Sequence, residues 1–237
     1  MKRAKIDFHV HPNLTKEIRT SEEYIAFKDR KISQILREEG IDGVIYTDHI
    51  HHPDFWKTQK FIPYGREDMI RIPGAEITAS GKKDTLVFGS LDHLRKLDGS
   101  FRKKLSEGFR PELGKLYKEA KDLGLKVVSA HHLRETEDFT DEDYSYFDAL
   151  ELDIKNPENR KRIEKIAHKH GLPVVAGSDA HLAYAAGLVW TETGVGKSIA
   201  LEDPSPGGKR PERREKIFKK CKDVKRKILE LEGSRRE

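Results

Sequence analysis

Short apolar runs recur along this chain, and several of them end in a histidine or a carboxylate. Apolar runs of about four to eight residues bounded by turn signals are typical of buried strands. Five segments carry the polar ends: His9-Val10-His11, Asp48-His49, Glu76, His131 and Asp179-Ala180-His181. Neutral imidazole and carboxylate are the protein ligands of Zn²⁺, Mn²⁺ and Fe²⁺. A fold that gathers the strand ends would therefore bring several metal ligands together.

Helical segments separate the strand-like runs. One begins at the capping-box sequence Thr20-Ser21-Glu22-Glu23 and ends at Gly40, and another begins at Pro157 and ends at Gly171. Strands that alternate with helices predict βα units with parallel pairing. About seven strands in a chain of this length favour a barrel over an open sheet, and such barrels carry their reactive groups at the carboxyl ends of the strands.

The composition fits a single α/β domain. At 237 residues, of which 35% are hydrophobic and 37% charged, the chain can bury a substantial core. The abundance of Lys, Arg and Glu with few amides resembles hyperthermophile proteins. The lone cysteine, Cys221, excludes an intrachain disulfide. Since the sequence has neither a signal-peptide pattern nor a membrane-spanning stretch, we expect a cytoplasmic protein without a membrane partner.

Positive charge is concentrated at the end of the chain. Residues 207–237 hold 13 Lys or Arg and 6 Asp or Glu, whereas the rest carries a net charge of −2. The prolines and glycines of residues 204–211 predict a linker that follows a domain of residues 1–203. Beyond it, apolar residues recur at spacings of three and four: Ile217, Cys221, Val224, Ile228 and Leu231.

This apolar stripe predicts an amphipathic C-terminal helix. We expect residues 204–237 to form a basic linker and a helix that docks on the barrel. Two alternatives remain open at this point. The helix could form a coiled coil that makes a homo-oligomer, or its cations could dock nucleic acid.

In their order along the chain, the motifs resemble those of the PHP (polymerase and histidinol phosphatase) domain family. The motifs are His-x-His near the start, Thr47-Asp48-His49, Gly74-Ala75-Glu76, Ala130-His131 and Gly177-Ser178-Asp179-Ala180-His181. The resemblance covers residues 5–191. It implies a distorted (β/α)7 barrel, here with the added C-terminal helix, and a site for two or three divalent ions, Zn²⁺, Mn²⁺ or Fe²⁺.

The resemblance also implies which ligands hold which ion. Carried over by position, they form three groups: His9, His11, Glu76 and Asp179 for one ion, Glu76 and His131 for a second, and His49 with His181 for a third. Asp48 would orient a ligand or a substrate. Where the family often has a further histidine, this chain has Asp84-Thr85, so either Asp84 substitutes or the second ion is one ligand short. A further third-site ligand would have Thr15 as its nearest candidate.

Several divalent ions set close together suit phosphoester hydrolysis, because they acidify a bridging water and neutralise phosphoryl oxygens. His181 or His49 would protonate the leaving oxygen where it is not committed to an ion. Arg134 is a candidate phosphate clamp, with an ordinary surface ion pair as the alternative. Together with Asp48, these are the predicted catalytic residues.

Aromatic and cationic residues alternate in residues 50–69, the segment that follows His49. That composition suits stacking on a base and gripping a phosphate, or it closes the site as a lid. The sequence is compatible with both roles.

The sequence therefore predicts a metal-dependent phosphoric ester hydrolase. Its substrate would be a small phosphomonoester resembling histidinol phosphate, or a phosphodiester. One alternative is an exonuclease-like or RNase-like enzyme that uses the basic tail to bind nucleic-acid ends. Another is an amidohydrolase-like enzyme, although no lysine is clearly placed at a strand end to serve as a carbamylated ligand. The third is a non-catalytic module that metal stabilises.

Overall fold

The computed structural model describes residues 2–13, 21–106, 110–134, 138–195 and 199–209, together with 216, 217 and 219. The strands are β1 Lys2–Val10, β2 Gly43–Tyr46, β3 Ile70–Ala79, β4 Lys83–Phe88, β5 Lys126–Ser129, β6 Ala149–Leu152, β7 Val174–Ala176, β8 Val189–Val195 and β9 Ile199–Gly208. The helices are α1 Glu22–Glu38, α2 Phe55–Phe61, α3 Leu91–Ser106, α4 Leu113–Asp122, α5 Asp141–Tyr144 and α6 Arg160–His170.

The strands form one sheet in the order β7-β6-β5-β4-β3-β2-β1-β8-β9. Pairing is parallel within β1–β2–β3 and within β5–β6–β7. It is antiparallel at β4, β8 and β9, where the expected parallel pairing is wrong. Only the turn Ser80–Lys82 joins β3 to β4, whereas a parallel connection needs about a dozen residues or more. The predicted distorted α/β barrel is confirmed.

The sheet nearly closes between β1 and the chain that follows β7. Val10 and Ala180 form a parallel bridge, in which the His11 N–H donates to the Ala180 carbonyl at 2.9 Å. The buried carboxylate of Asp7 accepts the backbone N–H groups of Ser178 at 2.8 Å and Gly187 at 2.7 Å. This closure places the two predicted histidine motifs, which are far apart in sequence, side by side.

Apolar side chains from the strands fill the centre of the barrel. They include Ile6, Phe8, Ile45, Leu86, Phe88, Val128 and Val175. The pairing of β1 with β2 becomes irregular between Asp7 and Val10. Such irregularities re-aim side chains near functional sites. Here the irregularity occurs where the chain passes from Phe8 in the core to His9 in the polar cluster described below.

The structure also contains elements that the sequence did not predict. The segment of residues 50–69 includes α2, and α3 follows β4. The linker predicted from Pro204 is wrong up to Gly208, because these residues belong to β9 and pair with β8. The prolines fit there because β9 lies at one end of the sheet order, where a missing N–H is tolerated.

The predicted C-terminal helix falls largely outside the described residues. Ile217 packs against an apolar cluster that includes Leu188 and Val189. Cys221, Val224, Ile228 and Leu231 lie outside the described residues, as does Thr15. Docking of the whole tail and its role in a homo-oligomer stay predictions. Each helix in the described ranges is too short or too polar to cross a membrane.

Gly177 makes the barrel closure sterically possible. A Cβ built at this position would lie 2.4 Å from the Cβ of His9 and 2.5 Å from Oε1 of Glu151. Real Cβ atoms essentially never approach so closely, and the nearby backbone nitrogen of His9, also at 2.5 Å, cannot swing away as a flexible side chain would.

We predict that Gly177→Ala lowers the free energy of unfolding by about 1–3 kcal/mol or more, because overpacking forces the backbone to move. Gly99→Ala is the matched control. Gly99 lies in α3 with no heavy atom within 4 Å of a built Cβ, so alanine should stabilise that helix by up to about 1 kcal/mol. Urea unfolding measures both free energies. A Gly177→Ala variant as stable as the wild type would contradict this close packing.

Candidate metal centre

Glu76 lies at the centre of the polar cluster, on β3. Its Oε1 is 3.0 Å from Nε2 of His131. Its Oε2 is 3.0 Å from Nδ1 of His49, 3.5 Å from Nε2 of His11 and 3.6 Å from Nε2 of His9. The two oxygens thus face different imidazoles, as a carboxylate that bridges two ions would require.

The two histidines of β1 and the segment after β7 meet beside Glu76. Nε2 of His9 lies 3.0 Å from Nε2 of His11. Oδ1 of Asp179 is 3.4 Å from Nε2 of His11 and 3.9 Å from Nε2 of His9. The ring of His181 stacks on that of His11 with their centroids 4.0 Å apart. The barrel closure therefore joins both motifs into one cluster.

Within the described part of the chain, three groups of residues have potential ligand atoms within 4.8 Å of one another. They are His9, His11 and Glu76; Glu76, Asp84 and His131; and His11, His49 and His181. The resemblance assigns His11 to the first ion. In the structure His11 also lies close to His49 and His181, which the resemblance assigns to the third. Asp84 lies with Glu76 and His131, which favours its substitution for the missing histidine.

The donor chemistry of these groups fits divalent metal ions. Imidazole nitrogens and carboxylate oxygens converge, and Nε2 of His9 and His11 face each other at hydrogen-bonding distance. Zn²⁺, Mn²⁺ and Fe²⁺ all accept such mixed ligands. The residues that would hold them are the seven predicted ligands together with Asp84.

Burial and close packing set the protonation states. Burial raises the pKa of Glu76, but the neighbouring imidazoles, His49 first, outweigh it and hold that pKa well below its usual value. Burial and the nearby His181 lower the pKa of His11 well below its usual value. Burial also lowers the pKa of His181 to about 4. At neutral pH these residues are a carboxylate and neutral imidazoles, the forms that bind metal.

Two residues of the cluster have strained backbones. His131 has a φ of 29° and Asp179 a φ of 48°, a region that non-glycine residues rarely adopt. Such conformations persist only where the surroundings enforce them, and they concentrate at functional sites. In His131 the enforcing contact is a backbone N–H that donates to Oε2 of Glu151 at 2.7 Å.

Glu151 is a residue of this network that the sequence did not single out. Besides His131, its Oε2 accepts a hydrogen bond from Nδ1 of His9 at 3.0 Å. Burial opposes protonation of His9, but the carboxylates of Glu151 and Glu76 raise its pKa well above the usual value. An ion at Nε2 would displace the proton from that nitrogen, while Nδ1 keeps its hydrogen bond to the carboxylate. The sequence feature that could have identified Glu151 is its charge, because it lies inside the otherwise apolar run Ala149–Leu152.

Asp48 lies beside the cluster. Its Oδ1 is 3.9 Å from Nδ1 of His11, too far for a hydrogen bond. Asn13 donates to both of its oxygens, from the backbone at 3.0 Å and from the side-chain amide at 2.7 Å. Burial raises the pKa of Asp48 to about 6. This geometry favours the predicted orienting role over direct metal binding.

Arg134 and Lys155 both contact Asp179. The guanidinium of Arg134 donates to Oδ2 of Asp179 and to Oδ1 of Asp153, and the ammonium of Lys155 reaches the same Asp179 oxygen. The predicted phosphate-clamp role of Arg134 stays a prediction, since its guanidinium is engaged by two carboxylates. Lys155, which follows β6, was not identified from the sequence.

The cluster is open on one side. The side chains of His49 and His181 are 30% and 31% exposed, whereas those of His9, His11 and Glu76 are at most 2% exposed. A substrate would therefore reach the cluster past His49 and His181. Lys155, with 41% of its side chain exposed, lies on the accessible side of Asp179.

The aromatic residues of 50–69 are used mainly for packing. Phe55 is in the core, the indole N–H of Trp56 donates to Asp98, and the hydroxyl of Tyr64 donates to Gln59. These contacts favour a closing segment over a base-stacking platform.

Glu151→Gln should weaken metal binding about 10–100-fold, the usual cost of removing a carboxylate that orients a ligating histidine. Calorimetric titration of Mn²⁺ into metal-free protein measures the change. Glu158→Gln, at an exposed position, is the matched control and should leave the affinity unchanged. Equal affinities for Glu151→Gln and wild type would show that Glu151 does not support the ligands.

Comparison with known proteins places this geometry in context. A family model described as PHP-associated matches residues 157–202. Among curated proteins, none matches the sequence. Solved structures match a larger part of the chain than the family model does.

The structure of PsfC from Pseudomonas syringae is similar with a TM-score of 0.77 and 19% identity, and the match covers 96% of this chain and 100% of that one. A lesion-specific endonuclease Q from Pyrococcus furiosus is similar with a TM-score of 0.62 and 17% identity, over 82% of this chain and 53% of that one. A proposed metal-dependent phosphoesterase from Bifidobacterium adolescentis has a TM-score of 0.51 and 19% identity, over 76% and 88%. At these identities the likeness shows a common fold.

Proposed function

Because the chain is a PHP-domain protein, we propose that it is a divalent-metal-dependent phosphoesterase that hydrolyses a small phosphomonoester. The observation that carries the proposal is the convergence of imidazoles on the two oxygens of Glu76. Divalent ions in such a site supply an acidic water near neutral pH and neutralise phosphoryl oxygens.

The protonation state of His181 separates the roles of the two partly exposed histidines. With a pKa of about 4, His181 is neutral at pH 7 and is suited to hold an ion, not to donate a proton. His49 is the remaining candidate for protonating the leaving oxygen, wherever it is not bound to an ion. Both rings lie at the open side of the cluster, where a phosphate ester would arrive.

Lys155 and Arg134 would favour an anionic substrate. Arg134 is held by Asp153 and is 14% exposed, so it fixes Asp179 in place. Lys155 has a flexible stem and greater exposure, so its ammonium can turn from Asp179 towards an incoming phosphoryl oxygen. A small substrate suits the near-neutral body of the chain.

Phosphodiester cleavage is the second candidate. Its support is the likeness to endonuclease Q, one structure of which holds a 27-mer duplex with an abasic lesion. That match covers 54% of the other chain, so its nucleic-acid activity enters here only as an alternative. The amidohydrolase alternative is disfavoured, because Lys155 forms an ion pair with Asp179 that carbamylation of its amine would abolish.

Glu76→Gln should abolish metal-dependent hydrolysis. The loss of activity should exceed the roughly 100-fold that mutation of a residue hydrogen-bonded to a metal ligand usually causes, because Glu76 would itself be a ligand. The assay uses a generic phosphomonoester and a generic phosphodiester after metal removal, with Mn²⁺, Zn²⁺ or Fe²⁺ added back in turn. Glu158→Gln serves as the control. Undiminished hydrolysis by Glu76→Gln, or activity that ignores metal removal, would contradict the proposal.

The same assay separates the alternatives. Faster cleavage of the monoester supports the small-substrate proposal, and faster cleavage of the diester supports the nuclease-like alternative. If metal binds tightly but neither ester is cleaved, the proposal fails and a metal-stabilised binding module is favoured.

Lys155→Gln should raise KM for the phosphomonoester about tenfold with little change in kcat, since a hydrogen bond to a charged group contributes roughly 1.5 kcal/mol. Lys161→Gln, at an exposed position on α6, is the control. Steady-state kinetics with the metal-loaded protein measure both constants. An unchanged KM would exclude Lys155 from substrate binding.

A further inference from the structure

Lys28 is a buried cation on α1 that the proposed chemistry does not use. It is 3% exposed. Among the described residues, no carboxylate lies within ion-pair distance of its Nζ, although the charge of Asp48 opposes the lowering of the Lys28 pKa that burial causes. Burying a charge in this way is costly unless polar groups replace the lost water, so the surroundings of this ammonium need an explanation.

Three backbone carbonyls surround the ammonium. Nζ donates to the carbonyl oxygen of His11 at 2.7 Å, to that of His181 at 2.7 Å and to that of Asn13 at 3.3 Å. An ammonium group has three donors, and these carbonyls can accept all three. Two of the carbonyls belong to residues whose imidazoles lie in the cluster, one from each side of the barrel closure.

The third carbonyl connects Lys28 to the remaining histidine of the open group. Asn13 holds both oxygens of Asp48, and His49 follows Asp48 in the chain. Lys28 therefore fixes, directly or through Asn13, the three segments that present His11, His49 and His181. The group formed by His9, His11 and Glu76 receives only one of these contacts, at His11.

We propose that Lys28 is a positioning residue that assembles the open metal position formed by His11, His49 and His181. The inference deepens the proposed function and rests on it for any effect on catalysis, whereas metal binding tests it independently. If Lys28 only filled a buried space, its replacement would weaken metal binding at all positions and the stability of the fold alike.

Lys28→Met tests the proposal, because methionine has a similar length but cannot donate. We expect this variant to keep its tight Mn²⁺ affinity while its weaker Mn²⁺ affinity falls about 10–100-fold, as when other groups that orient ligands are removed. Titration of metal-free protein with Mn²⁺, followed by electron paramagnetic resonance, measures both. Lys31→Met, at an exposed position on α1, should bind Mn²⁺ as the wild type does.

Excess Mn²⁺ should restore hydrolysis in Lys28→Met if the open position is only weakened. Unchanged Mn²⁺ binding, or an equal loss of tight and weak binding in a folded variant, would overturn the proposal. If Lys28→Met does not fold, Lys28→Gln decides by the same two outcomes, because its amide keeps a polar group in the buried space but is one atom shorter and has only two donors for the three carbonyls. An absence of hydrolysis in the wild type would refute the proposed function without affecting this Mn²⁺ comparison.

Discussion

The closure of the barrel between β1 and the chain after β7 is the constraint on which the site depends. The bridge between Val10 and Ala180 holds His9 and His11 against Asp179 and His181, although about 170 residues separate them in sequence. Gly177 permits the close approach, and the buried carboxylate of Asp7 secures it with hydrogen bonds to backbone N–H groups. If the sheet stayed open here, the metal ligands would form two separate half-sites.

Gathering so many titratable groups in the interior is costly, and the structure offsets that cost in several ways. Imidazoles lie against carboxylates, so Glu76 stays ionised although burial opposes its charge. The buried carboxylate of Glu151 accepts hydrogen bonds from Nδ1 of His9 and from the backbone N–H of His131. Divalent ions would reduce the remaining cost, because each bound ion replaces close contacts between ligand atoms with metal–ligand bonds. Metal binding and stability are therefore expected to be linked.

Much of the fold could be predicted from local sequence. Apolar runs that end in histidine or carboxylate located most strands, and capping signals located α1 and α6. Antiparallel pairing of β4 was missed because the alternation of strands with helices was extended to the whole chain, although the connection from β3 is too short for a parallel crossover. β9 was missed because Pro204 and Pro206 disfavour a strand anywhere but at an edge.

The sequence identified those site residues that lie in motifs of recognisable spacing, and it missed the others. Glu151, Lys155 and Lys28 act through partners that are distant in sequence, and a lone charged residue in a strand or helix does not reveal its partner. Their proposed roles follow from the group that each one faces, an imidazole for Glu151, a carboxylate for Lys155 and backbone carbonyls for Lys28, and tertiary packing decides these partners.

Anomalous X-ray diffraction from crystals soaked in Mn²⁺ would show whether these side chains form a metal centre. We expect anomalous peaks between His9, His11 and Glu76, and between Glu76, Asp84 and His131, with a further peak at His11, His49 and His181. Crystals without any peak at this cluster, with the imidazoles bonded only to carboxylates, would contradict this expectation.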